Sequence, residues 1–340
     1  MRAWGDFDGS LPVNGFVPYM IPVPRDPDQI RRIGGTPAGT SLFFKVIGRS
    51  ATFGDMIGYI LCDYSGPGDV LFKLKKAYVT ISDWTIGYAD TSFSDVEAQA
   101  PTIDGGGQNG KIVHTTLLLR WQHDFSPHWE MATSVELPQS QVDADGVSTK
   151  KLDDYLPDLA VFGQYNWGHN EHVRLSGILR SIPYQNLVTG QRHTVVGWGV
   201  QLSAIAYPCN RLAIYAMANT GRGYQSYVAD LSIGSYDLVA DASTPGRLYA
   251  PLAVGLNAGF KFNITPSLYT CAALGRVGYY PKYKVDGTDY RYGLYGAFNL
   301  FWDITPRLQV GAEYLIGSRH NFNGQHNYAN RVDVLFQLSF

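Results

Sequence analysis

A pattern of alternating apolar and polar residues recurs along the whole chain, and it constrains the fold more than any other feature of the sequence. In the last segment, NRVDVLFQLSF, every second residue is apolar: Val332, Val334, Phe336, Leu338 and Phe340. Because successive side chains of a strand point to opposite faces, a period of two predicts strands with one apolar and one polar face. Similar segments along the chain predict about sixteen strands, each about ten residues long.

The links between these segments alternate between short and long. Short links rich in Pro, Gly, Asn and Asp predict hairpin turns at DFSPHW, NWGHNEH, YPCNRL, NITPSL and DITPRL. The other links read as long and polar: PQSQVDADGVSTKKLDDYLP, YQSYVADLSIGSYDLVADASTPG and IGSRHNFNGQHNYA. We expect the first strand near Leu11 to Ile21 and expect it to pair with the last strand, so that the sheet has no free edge.

These features together predict an all-β fold, a transmembrane antiparallel β-barrel with short periplasmic turns and long extracellular loops. About ten alternating residues is the length with which a tilted strand crosses a bilayer. Charged residues make up only 16% of the chain, which is low for a soluble surface. A soluble barrel or sandwich would need a polar outer face, whereas here that face is apolar. We therefore expect residues 1–340 to form one domain in a bacterial outer membrane, in contact with lipid and lipopolysaccharide.

The inner face of a membrane barrel is polar, and the alternation identifies its residues. The predicted pore-lining cations are Lys45, Arg49, Lys73, Lys75, Arg120, Arg174 and Arg180. Residues 91–109 form a long connection that carries Asp95, Glu97 and Asp104 together with a run of three glycines. Loops of this length in compact folds usually have a function. We expect this loop to fold inward as a constriction, with its carboxylates facing the cations as charged rings do in channels.

The region from about 41 to 110 resembles the DcaP-type porins. The matching positions are Lys73, Lys75, Ala77, Tyr78, Gly87, Thr91, Phe93, Asp95, Pro101, Asp104 and Gly105. This resemblance covers roughly a quarter of the chain and implies a trimeric porin that passes small, often anionic, solutes. Two arginines of the family pattern are replaced here by Lys73 and Lys75, which are point charges without the planar fork of arginine.

The function predicted from these observations is passive diffusion of small hydrophilic solutes, with a modest preference for anions and carboxylates. The alternatives are a selective uptake channel with a defined solute site and a barrel with a mainly structural or surface-interaction role. No motif predicts catalysis or a cofactor, and HNEH, residues 169–172, offers two possible metal ligands without a recognisable third. The net charge of −2 gives no reason to expect nucleic acid as a partner.

Overall fold

A computed structural model describes residues 1–9, 11, 13–28, 31–65, 71–168 and 170–340. Strands dominate it. They are β1 (Arg2–Asp8), β2 (Arg32–Thr36), β3 (Ser41–Ser50), β4 (Gly54–Ser65), β5 (Leu71–Ile81), β6 (Trp84–Asp90), β7 (Thr115–Asp124), β8 (Trp129–Glu136), β9 (Thr149–Lys151), β10 (Asp158–Trp167), β11 (Glu171–Asn186), β12 (Arg192–Cys209), β13 (Leu212–Arg222), β14 (Val239–Ala240), β15 (Leu248–Tyr249), β16 (Leu252–Asn263), β17 (Leu268–Tyr280), β18 (Tyr290–Thr305), β19 (Leu308–Asn321) and β20 (His326–Leu338).

Short 3-10 turns lie at Pro18–Met20, Gln225–Tyr227 and Leu231–Ile233. None of the helical segments in the described ranges has the length and apolar character that crossing a bilayer requires.

Eighteen of the strands in the described residues form one antiparallel sheet, and β14 and β15 form a separate pair. The pairing of the first strand with the last is confirmed, because β1 pairs with β20 from Arg2↔Leu335 to Asp8↔Asn330. The predicted position of the first strand is wrong. Leu11, Phe16 and Ile21 do not belong to a strand; they pack as a buried cluster against the inner face of the sheet. Their apolar character reflects that packing rather than an outer wall.

The predicted alternation of faces is confirmed along the strands. In β19, Tyr314 and Ile316 are both 46% exposed, whereas Glu313 and Leu315, which alternate with them, are buried. In β20, Val334, Phe336 and Leu338 are exposed on the outer face and Arg331 and Asp333 are buried on the inner face. The sheet therefore has an outer face of exposed apolar residues and an inner face with many buried polar ones, the reverse of a soluble sandwich.

The five short links each join two consecutive strands as predicted. The prediction of a long loop at IGSRHNFNGQHNYA is wrong, because β19 continues to Asn321 and β20 begins at His326. Gly324 takes a positive φ of 84°, which suits a tight turn. Polar inner-face residues near the strand ends, such as Ser318 and Asn327, made this segment look like a loop.

Three connections lie against the inner face. We call them the N-terminal segment (residues 13–28), the first loop (91–114) and the second loop (223–251). Each contains residues with almost no exposure, including Phe16, Phe93 and Tyr227. A Cβ on Gly317 would lie 2.7 Å from the ring of Phe16, so the missing side chain makes room for the N-terminal segment. The contacts of these three connections lie mainly along β8 to β20.

Candidate functional site

The N-terminal segment and the first and second loops leave most of the inner face of β3 to β7 uncovered. Lys45, Lys73 and Lys75 are exposed, and both alternating faces of β3 carry exposed side chains. Lys45 pairs in register with Tyr59, which pairs in turn with Tyr78, so the three lie on one face. We call the inward-facing residues of these strands the open strip. It contains Phe43, Lys45, Tyr59, Lys73, Lys76, Tyr78 and Arg120.

A polar cavity of about 520 Å³ lies at one end of the open strip. It is lined by Lys76, Tyr78, Thr80, Ser82, Asp83, Thr85, Ala89, Asp90, Arg120, Gln122, His123 and Asp124. Lys76 forms an ion pair with Asp90, and the Arg120 guanidinium donates to the carbonyl of Asp90 and to Ser92 Oγ. Cations, carboxylates and hydroxyls thus alternate around a space large enough for a small solute.

A β-bulge in β5 changes which lysine faces the cavity. Leu61 pairs with Lys76 and Cys62 pairs with Leu74, so Lys75 has no partner across the strands. The extra residue shifts the alternation by one position. As a result Lys76, which simple parity assigns to the outer face, lines the cavity beside Tyr78. Lys75 lies within the bulge and reaches Asp63 at 3.3 Å.

One end of the first loop is anchored through Asp95. Its carboxylate accepts hydrogen bonds from Ser203 Oγ at 2.6 Å and from His172 Nε2 at 2.9 Å, and the side chain of Arg174 lies 4.0 Å away. Burial opposes ionisation, but the bond to His172, the charge of Arg174 and the bond to Ser203 outweigh it and lower the pKa of Asp95 to about 2. Asp95 is therefore an ionised anchor with no exposed surface.

The other end of the first loop is anchored by β19 and β1. Glu313 accepts from the backbone N–H of Ile103 at 2.9 Å and of Asp104 at 2.7 Å. Asp104 in turn accepts from Arg2 at 2.9 Å and from the N–H of Phe16 at 2.9 Å. The loop thus follows the inner wall from β11 and β12 to β19. At the first end its own Asp95 binds the strands, and at the other end Glu313 of β19 binds the loop backbone.

The second loop is held by a separate group of buried charges. Arg180 donates to Asp158 at 2.9 Å and to Asp237 at 3.0 Å, and Tyr227 donates to Asp158 at 2.8 Å. The side chains of Arg180, Asp158 and Asp237 have 1% exposure or less. This cluster fixes the second loop and exposes almost none of its charge.

The structure separates the predicted pore-lining cations into four groups. Arg120 and Arg174 contact the first loop, Arg120 through Ser92 Oγ and Arg174 through the carbonyl of Ser94. Lys45 and Lys73 lie on the open strip and Lys75 lies in the bulge beside it, and none of the three hydrogen-bonds to the described residues of the first loop. Arg180 serves the second loop instead, and Arg49 pairs with Asp55 beside the turn at residues 51–53.

The three predicted loop carboxylates also differ in their exposure. Asp95 and Asp104 are buried anchors, whereas the side chain of Glu97 is 68% exposed. Sequence reasoning missed Lys76, and it missed Arg2 and Arg331, which are buried at the seam between β1 and β20. The alternation of β20 could have found Arg331, because it places a cation on the inner face. Among the described residues no group of three or more His, Cys, Asp or Glu could hold a metal ion, and His169 lies outside them.

Comparison with solved structures gives whole-chain likenesses. The outer membrane channel DcaP of Acinetobacter baumannii matches with a TM-score of 0.86 and 18% identity, covering 100% of this chain and 95% of that chain. The trimer form of OmpT, an outer membrane protein of Vibrio cholerae, matches with a TM-score of 0.54 and 9% identity, covering 100% of this chain and 99% of that chain. OprB of Pseudomonas putida matches with a TM-score of 0.53 and 10% identity, covering 99% of this chain and 91% of that chain.

No protein-family model and no curated protein sequence matches the chain. The resemblance found in residues 41–110 extends, at the level of fold, to the whole molecule. The chain therefore has the fold of the outer membrane channel DcaP.

Proposed function

We propose that this protein is an outer-membrane porin of a Gram-negative bacterium, through which small hydrophilic solutes diffuse passively, with a modest preference for anions and carboxylates. One observation carries the proposal: loops cover the inner face of the sheet along β8 to β20, whereas β3 to β7 keep exposed lysines and a polar cavity. An apolar exposed outer face around such a strip is what a channel in lipid requires. The passage lies along the open strip.

The sheet closes into one barrel, residues 1–340, with about sixteen wall strands. β1 lies between β20 and β2, and β2 leads after four residues into β3, which pairs with β4. Counting β2 and β3 as halves of one wall strand, and leaving out the three-residue β9, reduces the eighteen strands of the sheet to sixteen. Closure supports the proposal because a bilayer leaves no water to satisfy a free edge.

The first loop narrows the barrel by occupying the inner wall opposite the open strip. Its anchoring carboxylates, Asp95 and Asp104, are buried and hydrogen-bonded to wall residues, so they are not available to a solute. Glu97 is the exposed carboxylate of the three predicted ones. The constriction is therefore less acidic toward the solute than the loop sequence suggests.

The anion preference comes from uncompensated lysines. Lys75 and Lys76 are paired with Asp63 and Asp90, whereas Lys45 and Lys73 form no ion pair with another described residue. Charges within a Debye length of about 8 Å act together on a passing solute. Two free cations among paired ones produce a weak positive field, and local field rather than net charge sets selectivity in a narrow passage.

We expect the double variant Lys73→Gln/Lys75→Gln to shift the reversal potential under a salt gradient toward cations. The anion-to-cation permeability ratio should fall by about twofold, with little loss of conductance, because the side-chain volume is kept. Planar-bilayer recording of purified protein measures both quantities.

The matched control is Lys282→Gln/Lys284→Gln, which removes two exposed lysines of the same spacing from the connection between β17 and β18. It should leave the reversal potential unchanged. If the two double variants behave alike, the open strip does not set selectivity. Absence of any channel current from well-folded protein would contradict the porin function itself.

We further propose that the protein assembles as a homotrimer, with lipid and lipopolysaccharide covering the rest of the outer wall. The trimer form of OmpT, which shares the fold, supports this assembly. Native mass spectrometry in mild detergent should give three chains per particle. Monomers under conditions where the barrel remains folded would contradict the assembly without touching the channel proposal.

A second candidate is an uptake channel with a defined solute site. The cavity beside Lys76 and Arg120 favours it, because donors and acceptors converge on a polar volume of about 520 Å³. Saturable block of the ion current by a solute separates this candidate from simple diffusion.

A further inference from the structure

Three aromatic rings form a ladder on the open strip, one from each of β3, β4 and β5. Phe43 stacks on Tyr59 with ring centroids 6.3 Å apart and planes inclined by 24°. Tyr59 and Tyr78 follow at 5.3 Å and 32°. The two tyrosines pair directly across the strands, so the rings share one face of the sheet. We call Phe43, Tyr59 and Tyr78 the aromatic ladder.

Phe43, at one end of the ladder, is exposed where most inner-face aromatics are buried, and Tyr59 and Tyr78 are half-buried. Phe43 is 68% exposed, whereas Phe16, Phe93 and Tyr227 are fully covered by the loops. Next to Tyr78 in β6, Gly87 has no side chain that could cover the ring; a Cβ there would lie 3.0 Å from that of Tyr78. An exposed apolar surface of this kind inside a polar passage indicates a contact with solute.

Charged groups border the ladder. Lys45 lies directly opposite Tyr59, and Lys76 with its partner Asp90 lies in the cavity beside Tyr78. A solute that matched this surface would have a flat, largely C–H face for the rings, hydroxyls at its edge for the paired charges, and a carboxylate for Lys45. Aromatic faces favour flat partners, and a carboxylate gains a charge-assisted hydrogen bond from lysine.

We propose that the aromatic ladder selects ring-shaped sugar acids, meaning pyranoses that carry a carboxylate, by packing the sugar ring against the exposed Phe43 end of the ladder while Lys45 binds the carboxylate. This inference rests on the proposed porin function and names the solute class of its passage. An open-chain sugar acid of the same charge meets the same lysines but presents no rigid face to the rings. The ladder therefore discriminates ring from chain, and the lysines discriminate anion from cation.

Sodium D-glucuronate and sodium D-gluconate test this difference, because both carry one carboxylate and only the first is mainly a ring. Reversal potentials measured against chloride give the permeability of each anion through the channel in a planar bilayer. We expect glucuronate to be favoured over gluconate by roughly threefold. In Phe43→Leu/Tyr59→Leu the ratio should fall to about one, while the chloride-to-sodium ratio stays unchanged.

Two further variants keep the inference falsifiable if the double variant folds poorly. Tyr59→Phe keeps the ring and should keep the preference for glucuronate. Tyr314→Leu removes an aromatic from the outer face and should also keep it. A ratio near one in the native protein, or a ratio that survives loss of both rings, overturns the role of the ladder. Loss of all anion current in the native protein overturns the porin proposal instead, so the two failures are distinguishable.

Discussion

Arg331→Met should strongly destabilise the protein, by about 3–5 kcal/mol in the free energy of unfolding. Arg331 is fully buried and lies opposite Asp6 in the register of β1 and β20. Its guanidinium donates to both carboxylate oxygens of Asp6, at 2.6 and 3.3 Å, and to the carbonyl of Asn14 at 2.7 Å. Removing the cation leaves a buried carboxylate without its partner at the seam where the first and last strands meet.

The temperature at which the folded, faster-migrating form disappears on SDS gels measures this effect. Arg25→Met is the matched control, because Arg25 pairs with Asp8 at an exposed site where such pairs contribute about 0–1 kcal/mol. Arg331→Met/Asp6→Leu should recover much of the loss, since no buried charge is then left alone. Equal midpoints for the Arg331 and Arg25 variants would show that the seam does not depend on this ion pair.

We expect the second large effect at Asp230, where a single carboxylate joins the three inner connections. Its oxygen accepts from the backbone N–H of Tyr19 at 3.2 Å, from Asn109 Nδ2 at 3.3 Å and from the Tyr290 hydroxyl at 3.4 Å. Burial raises the pKa of Asp230 to about 7, more than the hydrogen bonds lower it, and nearby Asp104 raises it further. The group is therefore protonated in the folded protein at pH values where it is ionised in the unfolded chain.

A raised acid pKa stabilises the fold at low pH, and this stabilisation is lost as the pH rises through about 7. The native protein should lose about 4 kcal/mol of this contribution between the unfolded pKa of 3.8 and the folded pKa of about 7, and little more above it. Asp230→Asn removes the titration. Urea unfolding between pH 5 and 8.5 should give a difference curve between the two proteins that falls with pH, and parallel curves would contradict the assignment.

The architecture follows from the sequence because alternation records the environment of each face. β20 illustrates this. Its outer face carries apolar Val334 and Phe336 and its inner face carries charged Arg331 and Asp333, so the sequence identifies both the strand and its two faces. Alternation fails where the backbone departs from a regular strand. The bulge at Lys75 moves Lys76 to the cavity, and no local signal distinguishes that bulge from a continuous strand.

Contacts between distant segments were not predictable from pattern alone. Leu11, Phe16 and Ile21 carry the apolar character of a wall strand but fill the interior against the sheet. Arg180 has the parity of a pore-lining residue, yet Asp158 and Asp237, on β10 and the second loop, neutralise it. Parity identifies the face on which a charge lies, whereas its availability to solute depends on partners far away in the sequence.

Thiol accessibility from the aqueous passage tests most directly the claim that solutes move along the open strip. In a background where Cys62, Cys209 and Cys271 are replaced by Ser, single cysteines would be introduced by Lys73→Cys on the strip and Gln201→Cys on the covered inner face.

An anionic sulfonate thiol reagent added during single-channel recording should reduce the current in discrete steps for Lys73→Cys. It should leave the current of Gln201→Cys unchanged, because the first loop covers that position through the carbonyl of Phe93. Block at Gln201→Cys with none at Lys73→Cys would contradict the account, since the passage would then lie on the other side of the barrel.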